Sequence, residues 1–137
     1  MARIQYYVHG RGRGHAIRTL SAVAELRERG HDVDVAASGV AAQVLASVPN
    51  VRTIELVAPG RGMASAFRRR LGADRQWLRR LHPDVVVSDG DGPSVHAALA
   101  LGIPRLAVGH GLALVHARVP TVAPPFARWR ERLNVGS

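Results

Sequence analysis

Apolar runs and chain breakers alternate along this sequence. Ile4 to Val8 is short, mostly apolar and closed by Gly10, which predicts a buried strand. After the segment His9 to His15, the residues Ile17, Leu20, Val23 and Ala24 recur on one face of a helix. Arg18, Glu25 and Arg29 lie opposite, and Gly30 stops it. Val33 to Ala37 predicts a second strand, Val40 to Ser47 a short helix, and Val51 to Val57 a third strand after the Pro49-Asn50 turn. From Met63 to Leu81 the residues Met63, Phe67, Leu71, Leu78 and Leu81 recur at helical intervals. Gly72 interrupts them, so one broken helix or two short ones are expected. Val85 to Val87 predicts a buried strand, Pro93 to Leu101 a helix, Arg105 to Val108 a fifth strand, and Phe126 to Leu133 a last short helix.

Strands that alternate with helices and are apolar throughout imply a parallel sheet covered on both faces and joined by right-handed crossovers. The predicted fold is a single Rossmann-like α/β domain. In such sheets ligands bind beyond the carboxyl ends of the strands. The residues to weigh are therefore His9 to His15, Ser38, Asp89 to Asp91, and Gly109 to Gly111.

Composition narrows the chemistry. The chain has 137 residues, 47% of them hydrophobic, and no cysteine, so disulfides, thiolate zinc sites and thiol nucleophiles are all excluded. A cytoplasmic location is the expectation, since no window approaches the roughly 20 apolar residues of a membrane span. All 19 basic residues are arginine, and the net charge is +9. Seven of those arginines and a single aspartate fall between residues 61 and 80, so the charge is largely a local patch.

Gly10, Gly12 and Gly14 free backbone N–H groups at a helix start, a setting for an oxygen-rich or anionic ligand. A dinucleotide site fits badly, because the loop reads G-x-G-x-G followed by His15, and the second strand ends in Ala36-Ala37-Ser38 without the ribose-binding acid. A Walker loop lacks its lysine. His15 at the mouth of the helix is a candidate general base, with a capping or merely polar role as the alternative.

Val85-Val86-Val87-Ser88-Asp89-Gly90-Asp91-Gly92-Pro93 carries two carboxylates past a strand. If this strand lies beside the first, Asp89 reaches His15 and orients its ring. Asp91, two residues ahead of Pro93, is either a ligand contact or the cap of the next helix. Asp89 and Asp91 together also match a weak D-x-D pattern for a divalent cation. No H-x-x-x-H spacing supports zinc, and no G-x-S-x-G elbow supports a serine hydrolase.

Two segments resemble the N-terminal, acceptor-binding half of GT-B glycosyltransferases, especially bacterial enzymes of the macrolide, antibiotic and peptidoglycan-precursor type. One is Gly12-Arg13-Gly14-His15-Ala16-Ile17-Arg18 with Arg29-Gly30-His31-Asp32-Val33. The other is His82-Pro83-Asp84-Val85-Val86-Val87-Ser88-Asp89 with Ala97-Ala98-Leu99-Ala100-Leu101-Gly102-Ile103-Pro104. The resemblance implies an acceptor-binding domain over residues 1–137, with His15 as the base that deprotonates the acceptor hydroxyl and Asp89 as its partner. The resemblance carries no further residue; Gly12, Gly14, Asp91 and His110 are candidate acceptor or ligand contacts by their places after the strands, and no bound metal or tightly held cofactor is expected.

The same resemblance implies that the nucleotide-sugar donor, a UDP- or dTDP-sugar, sits on a C-terminal domain or separate subunit outside these residues. Expected partners are that donor half and a small-molecule or lipid-linked acceptor. Arg68, Arg69, Arg70, Arg75, Arg79 and Arg80, interleaved with Phe67, Leu71, Trp77 and Leu78, are expected to cover the acceptor side and to meet a lipid surface, peripherally at the inner membrane face, or an anionic lipid-linked acceptor, with a plain solvated helix face as the alternative. The rival expectation is a non-enzymatic Rossmann-like module for an anionic partner. Nucleic acid is disfavoured as that partner, because the aromatic platforms and DNA-binding signatures are missing.

Overall fold

The computed structural model describes residues 1–109 and Trp129. The predicted helix Phe126 to Leu133 lies outside the described residues apart from Trp129, which is helical. The element order is β1 (Arg3–Val8), α1 (Arg13–Glu28), β2 (Asp32–Ser38), α2 (Gly39–Val44), β3 (Val51–Ile54), α3 (Met63–Leu81), β4 (Val85–Asp89), α4 (Gly92–Ala100) and β5 (Arg105–Val108). The strands form one five-stranded sheet in the order β3-β2-β1-β4-β5. All four pairings are parallel, with Ile4 opposite Val33 on one side and Val85 on the other. This is the predicted Rossmann-like α/β architecture.

Side chains alternate across the sheet, as the period of two requires. Ile4, Tyr6 and Val8 of β1 join Val33, Val35 and Ala37 of β2 beneath α1 and α2, which contribute Ala16, Val23 and Ala41. On the other face Tyr7, Ala36, Ile54 and Val86 pack against Leu78 of α3 and Ala97 and Ala98 of α4. Leu78 is fully buried, and burial of a side chain of that size contributes about 1.5–3 kcal/mol.

Four elements depart from expectation, three of them for a physical reason the structure shows. The buried stripe of α1 is Ala16, Thr19 and Val23, while Ile17 is 59% and Leu20 37% exposed. The helix is rotated by its polar tethers: His15 and Arg18 both bind Asp89 of β4, and the Thr19 hydroxyl donates to the His15 carbonyl, turning that side to the sheet. Helix α3 runs unbroken through Gly72. A glycine there costs about 1 kcal/mol, and flanking contacts at Arg70, Asp74 and Leu78 offset it. Strand β3 ends at Ile54 because its partner β2 ends at Ser38, the residue paired with it. The predicted α2 also shortens to Gly39–Val44. Among the described residues no helix is long and apolar enough to cross a membrane.

Arg70 is not a surface residue. It is 3% exposed, and its Nη2 donates to Asp74 Oδ2 and to Asp91 Oδ2, both at 3.0 Å, while Nη1 donates to the Glu55 carbonyl. Arg69 pairs with Glu55 at 2.5 Å, so the expected patch reduces to exposed Arg61, Arg68, Arg79 and Arg80 with half-buried Arg75. The apolar residues between them turn inward: Leu78 is buried, and Phe67 stacks edgewise on His96.

Burial pushes the Asp74 carboxyl up to about 6, against the pull of Arg70. A carboxyl raised in the fold stabilises it below the unfolded pKa and loses that contribution as pH rises through the folded value. Wild-type stability relative to Asp74→Asn is therefore expected to fall between about pH 4 and pH 6 and to level off above. Urea denaturation of both proteins across that range checks this; a constant difference would refute it.

Candidate active site

In the strand order β3-β2-β1-β4-β5 the chain first winds outward through β2 and β3, then crosses to the other side of β1. The carboxyl ends of β1 and β4 thus flank the topological switch point, where the crossovers diverge and leave a crevice. Both predicted motifs lie there. A cavity of about 360 Å³ of mixed lining, including Gln5, Asp34, Val35, Val51, Arg52 and Trp77, lies nearer the amino ends of the strands, away from that crevice.

The turn after β4 is built from short polar side chains. Ser88 Oγ donates to the Asp91 carbonyl and accepts from the Asp91 N–H, while Ser94 Oγ donates to the same carbonyl. Gly90 bridges them at φ +75°, a left-handed conformation that glycine adopts without strain. A Cβ at Gly90 would lie 3.2 Å from His15 Cε1, so glycine here also makes room for the imidazole. Gly10 plays the other close-packing role, since a Cβ there would meet the Ser38 carbonyl oxygen at 2.0 Å. It lets the first loop lie against the start of α2, where Val40 N–H donates to the Gly10 carbonyl.

His15 lies in the first turn of α1, and its Nδ1 is 2.8 Å from Asp89 Oδ1. The Asp89 side chain is fully buried and that of His15 is 27% exposed. An ionised carboxylate only accepts, so at this contact Nδ1 is the donor, and the ring's other nitrogen, Nε2, points away from Asp89. Arg18, one turn further on, clamps the same carboxylate: Nη2 lies 2.7 Å from Oδ1 and 3.0 Å from Oδ2, and Nε 3.1 Å from Oδ2. The hydrogen bond to Asp89 raises the Arg18 pKa further, so the guanidinium stays charged. His9 meets the His15 ring edge-on, with centroids 6.1 Å apart, and burial lowers its pKa so that it adds no charge near neutral pH.

The structure thus brings His15 and Asp89 together as the sequence suggests. Gly12 and Gly14 sit at the start of α1, and among the described residues nothing lies within 4 Å of where a Cβ would be. Asp91 takes the capping role: it is 1% exposed, and its Oδ2 accepts from the Ser94 N–H and from Arg70. That burial removes it from the candidate ligand contacts and breaks the D-x-D pair, since Asp89 and Asp91 serve different arginines. Among the described residues no group of three potential metal ligands occurs. His110 lies outside the described residues. Arg18 and Arg70 are the residues that sequence reasoning missed. The i, i+3 spacing of His15 and Arg18 and the i, i+4 spacing of Arg70 and Asp74 were the available signals.

The fold and this site define a Rossmann-like half of a GT-B architecture, a glycosyltransferase-type module. The sequence pattern of Glycosyltransferase Family 4 matches residues 12–135, and the chain belongs to that family. No match appears among curated proteins. Among solved structures, the chain is similar to MurG of Acinetobacter baumannii, with a TM-score of 0.65 and 22% identity over 78% of this chain and 34% of that one. It is also similar to the UDP-GlcNAc 2-epimerase of Neisseria meningitidis bound to UDP-GlcNAc, with a TM-score of 0.69 and 18% identity over 99% of this chain and 37% of that one. A third similar structure is UGT73P12 of Glycyrrhiza uralensis complexed with glycyrrhetinic acid 3-O-monoglucuronide, with a TM-score of 0.55 and 19% identity over 82% of this chain and 29% of that one. The chain spans about a third of the length of these structures.

Proposed function

We propose that this chain is the acceptor-binding half of a nucleotide-sugar-dependent glycosyltransferase, with His15 as general base. The observation that carries the proposal is the His15–Asp89 contact of 2.8 Å at the switch point, which engages Nδ1 and points Nε2 away from Asp89. As the acceptor oxygen attacks the anomeric carbon, its proton passes to Nε2 and the bond from that carbon to the nucleotide diphosphate breaks. The His15 ring becomes imidazolium, and Asp89 stabilises it. Gly12 and Gly14, which have no side chains, leave the acceptor room beside the base. The donor, a UDP- or dTDP-sugar, is held by a C-terminal domain or a separate subunit. UDP-GlcNAc, bound by the similar Neisseria epimerase, is the donor to try first.

The test is transfer of labelled sugar from UDP-GlcNAc to a panel of hydroxyl acceptors by the transferase that contains this half. His15→Ala is expected to fold and to lose transfer; turnover near wild type would overturn the base assignment.

The exposed Arg61, Arg68, Arg79 and Arg80 suit a peripheral contact with an anionic lipid surface or lipid-linked acceptor. Four exposed guanidinium groups make the attraction chiefly electrostatic, so binding should require anionic lipid and fade at high salt. Sedimentation with phosphatidylcholine vesicles, with and without phosphatidylglycerol, checks this. Equal binding to both would remove the membrane contact.

A further inference from the structure

Asp89 is a fully buried carboxylate shared by two side chains of α1, His15 and Arg18. A buried anion requires a countercharge, and two candidates are in reach. Arg18 supplies a permanent one through three contacts of 2.7–3.1 Å to both oxygens. His15 could supply the other only by taking a second proton. Arg18 Nη2 lies 3.2 Å from His15 Nδ1, so a protonated ring would face a like charge at contact distance.

We propose that Arg18 is a positioning residue for His15: by neutralising buried Asp89 it leaves the imidazole uncharged, with its proton on Nδ1 and the Nε2 lone pair open to an acceptor hydroxyl. This rests on the reading of His15 as base. The logic runs against the usual effect of a carboxylate on a histidine. Asp89 alone would hold His15 as imidazolium, which has no lone pair and takes no proton from an acceptor. With Arg18 in place, Asp89 still orients the ring through Nδ1, but its charge is already met. The other charged and titratable groups facing this cluster are Tyr6 of β1, His9 and Arg11 of the first loop, Asp91 at the start of α4, and Arg70 of α3. Asp91 is paired with Arg70, which it shares with Asp74, and makes no contact with the His15 ring. Tyr6, whose pKa burial raises, stays protonated across the neutral range. The Arg18–Asp89 pair is thus the charge pair in direct contact with the His15 ring.

The experiment is an NMR titration of the histidine Cε1 protons in the whole chain, the His15 signal being the one lost in His15→Ala. In Arg18→Gln the His15 midpoint is expected to move up by about one to three pH units, whereas Arg18→Lys, which keeps the charge, stays near wild type. A folded Arg18→Gln protein with an unmoved midpoint overturns the proposal. A second measurement needs no variant: ring nitrogen shifts of neutral His15 are expected to show the Nδ1–H tautomer, and an Nε2–H ring would overturn the proposal equally. Failure of the base reading itself is distinguishable. It would appear as normal transfer by His15→Ala with the titration and tautomer results unchanged.

Discussion

Replacing Arg70 by Met is expected to destabilise the domain by about 3–5 kcal/mol, because one partner of a buried charge cluster is removed while the others stay. Asp74 and Asp91 are 0% and 1% exposed, and both direct Oδ2 at the Arg70 Nη2. Arg52 approaches Asp74 Oδ1 no closer than 3.8 Å, so it compensates only weakly. Arg70 also joins parts of the fold that are distant in sequence: α3 itself, the carbonyl of Glu55 after β3, and the cap of α4. Its loss therefore loosens the crossover that brings α3 under the sheet. Domains of this size carry a total stability of about 5–15 kcal/mol, so the variant should melt far earlier or unfold during purification. The double variant with Asp74→Asn should recover part of the loss, since one stranded carboxylate goes with the arginine. Urea or thermal denaturation of the three proteins decides it. A loss under about 1 kcal/mol for Arg70→Met would show that solvent reaches the cluster.

The same residue shows what sequence can and cannot reveal here. Read along the chain, Arg68 to Arg70 is a run of positive charge, and charge runs suggest a solvated face. The fold separates them: Arg68 faces solvent, Arg69 pairs with Glu55, and Arg70 points inward. Successive helical positions are turned by 100°, so a run of three cannot share one environment. The helix itself and the strands are legible, because short apolar runs broken by Gly and Pro leave few alternatives, whereas the side-by-side placement of β1 and β4 enters the sequence reading only as a condition and is given by the fold. The rotation of α1 is not legible either. Periodicity weighs apolar side chains, and Ile17, Leu20 and Ala24 outweigh Ala16 and Thr19 on any such count. What turns the helix is the hold of His15 and Arg18 on a carboxylate 74 and 71 residues away. The pairing of His15 with Asp89 is legible for the converse reason: Asp89 ends β4 and His15 opens the helix that follows β1, so both stand at the carboxyl edge of adjacent strands, where side chains converge on one crevice. Asp91, only two residues beyond Asp89, is carried past that crevice by the Gly90 turn and capped into α4.

Removing the His15 imidazole is expected to lower transfer by about 10²- to 10⁴-fold, the usual worth of a positioned general base, with stability little changed because the ring is partly exposed. Asp89→Asn should cost a similar factor by a different route. The carboxylate now accepts from His15 Nδ1 and from Arg18 with both oxygens. An asparagine keeps one acceptor and gains a donor amide. If its oxygen stays with Arg18, the amide N–H faces Nδ1, which must then accept, and the ring proton moves to Nε2. That tautomer has no lone pair toward the acceptor. If the oxygen turns to His15, the amide nitrogen faces a guanidinium that only donates, and the clamp is broken. Either arrangement removes the base or its support, so turnover should fall with the acceptor KM nearly unchanged, the pattern of an interaction made in the transition state. Combining His15→Ala with Asp89→Asn should cost little more than His15→Ala alone, because Asp89 acts through the ring. Steady-state kinetics of the three variants checks this. Additive losses would mean that Asp89 meets the acceptor on its own account, and the pair would then have to be read as two independent contacts.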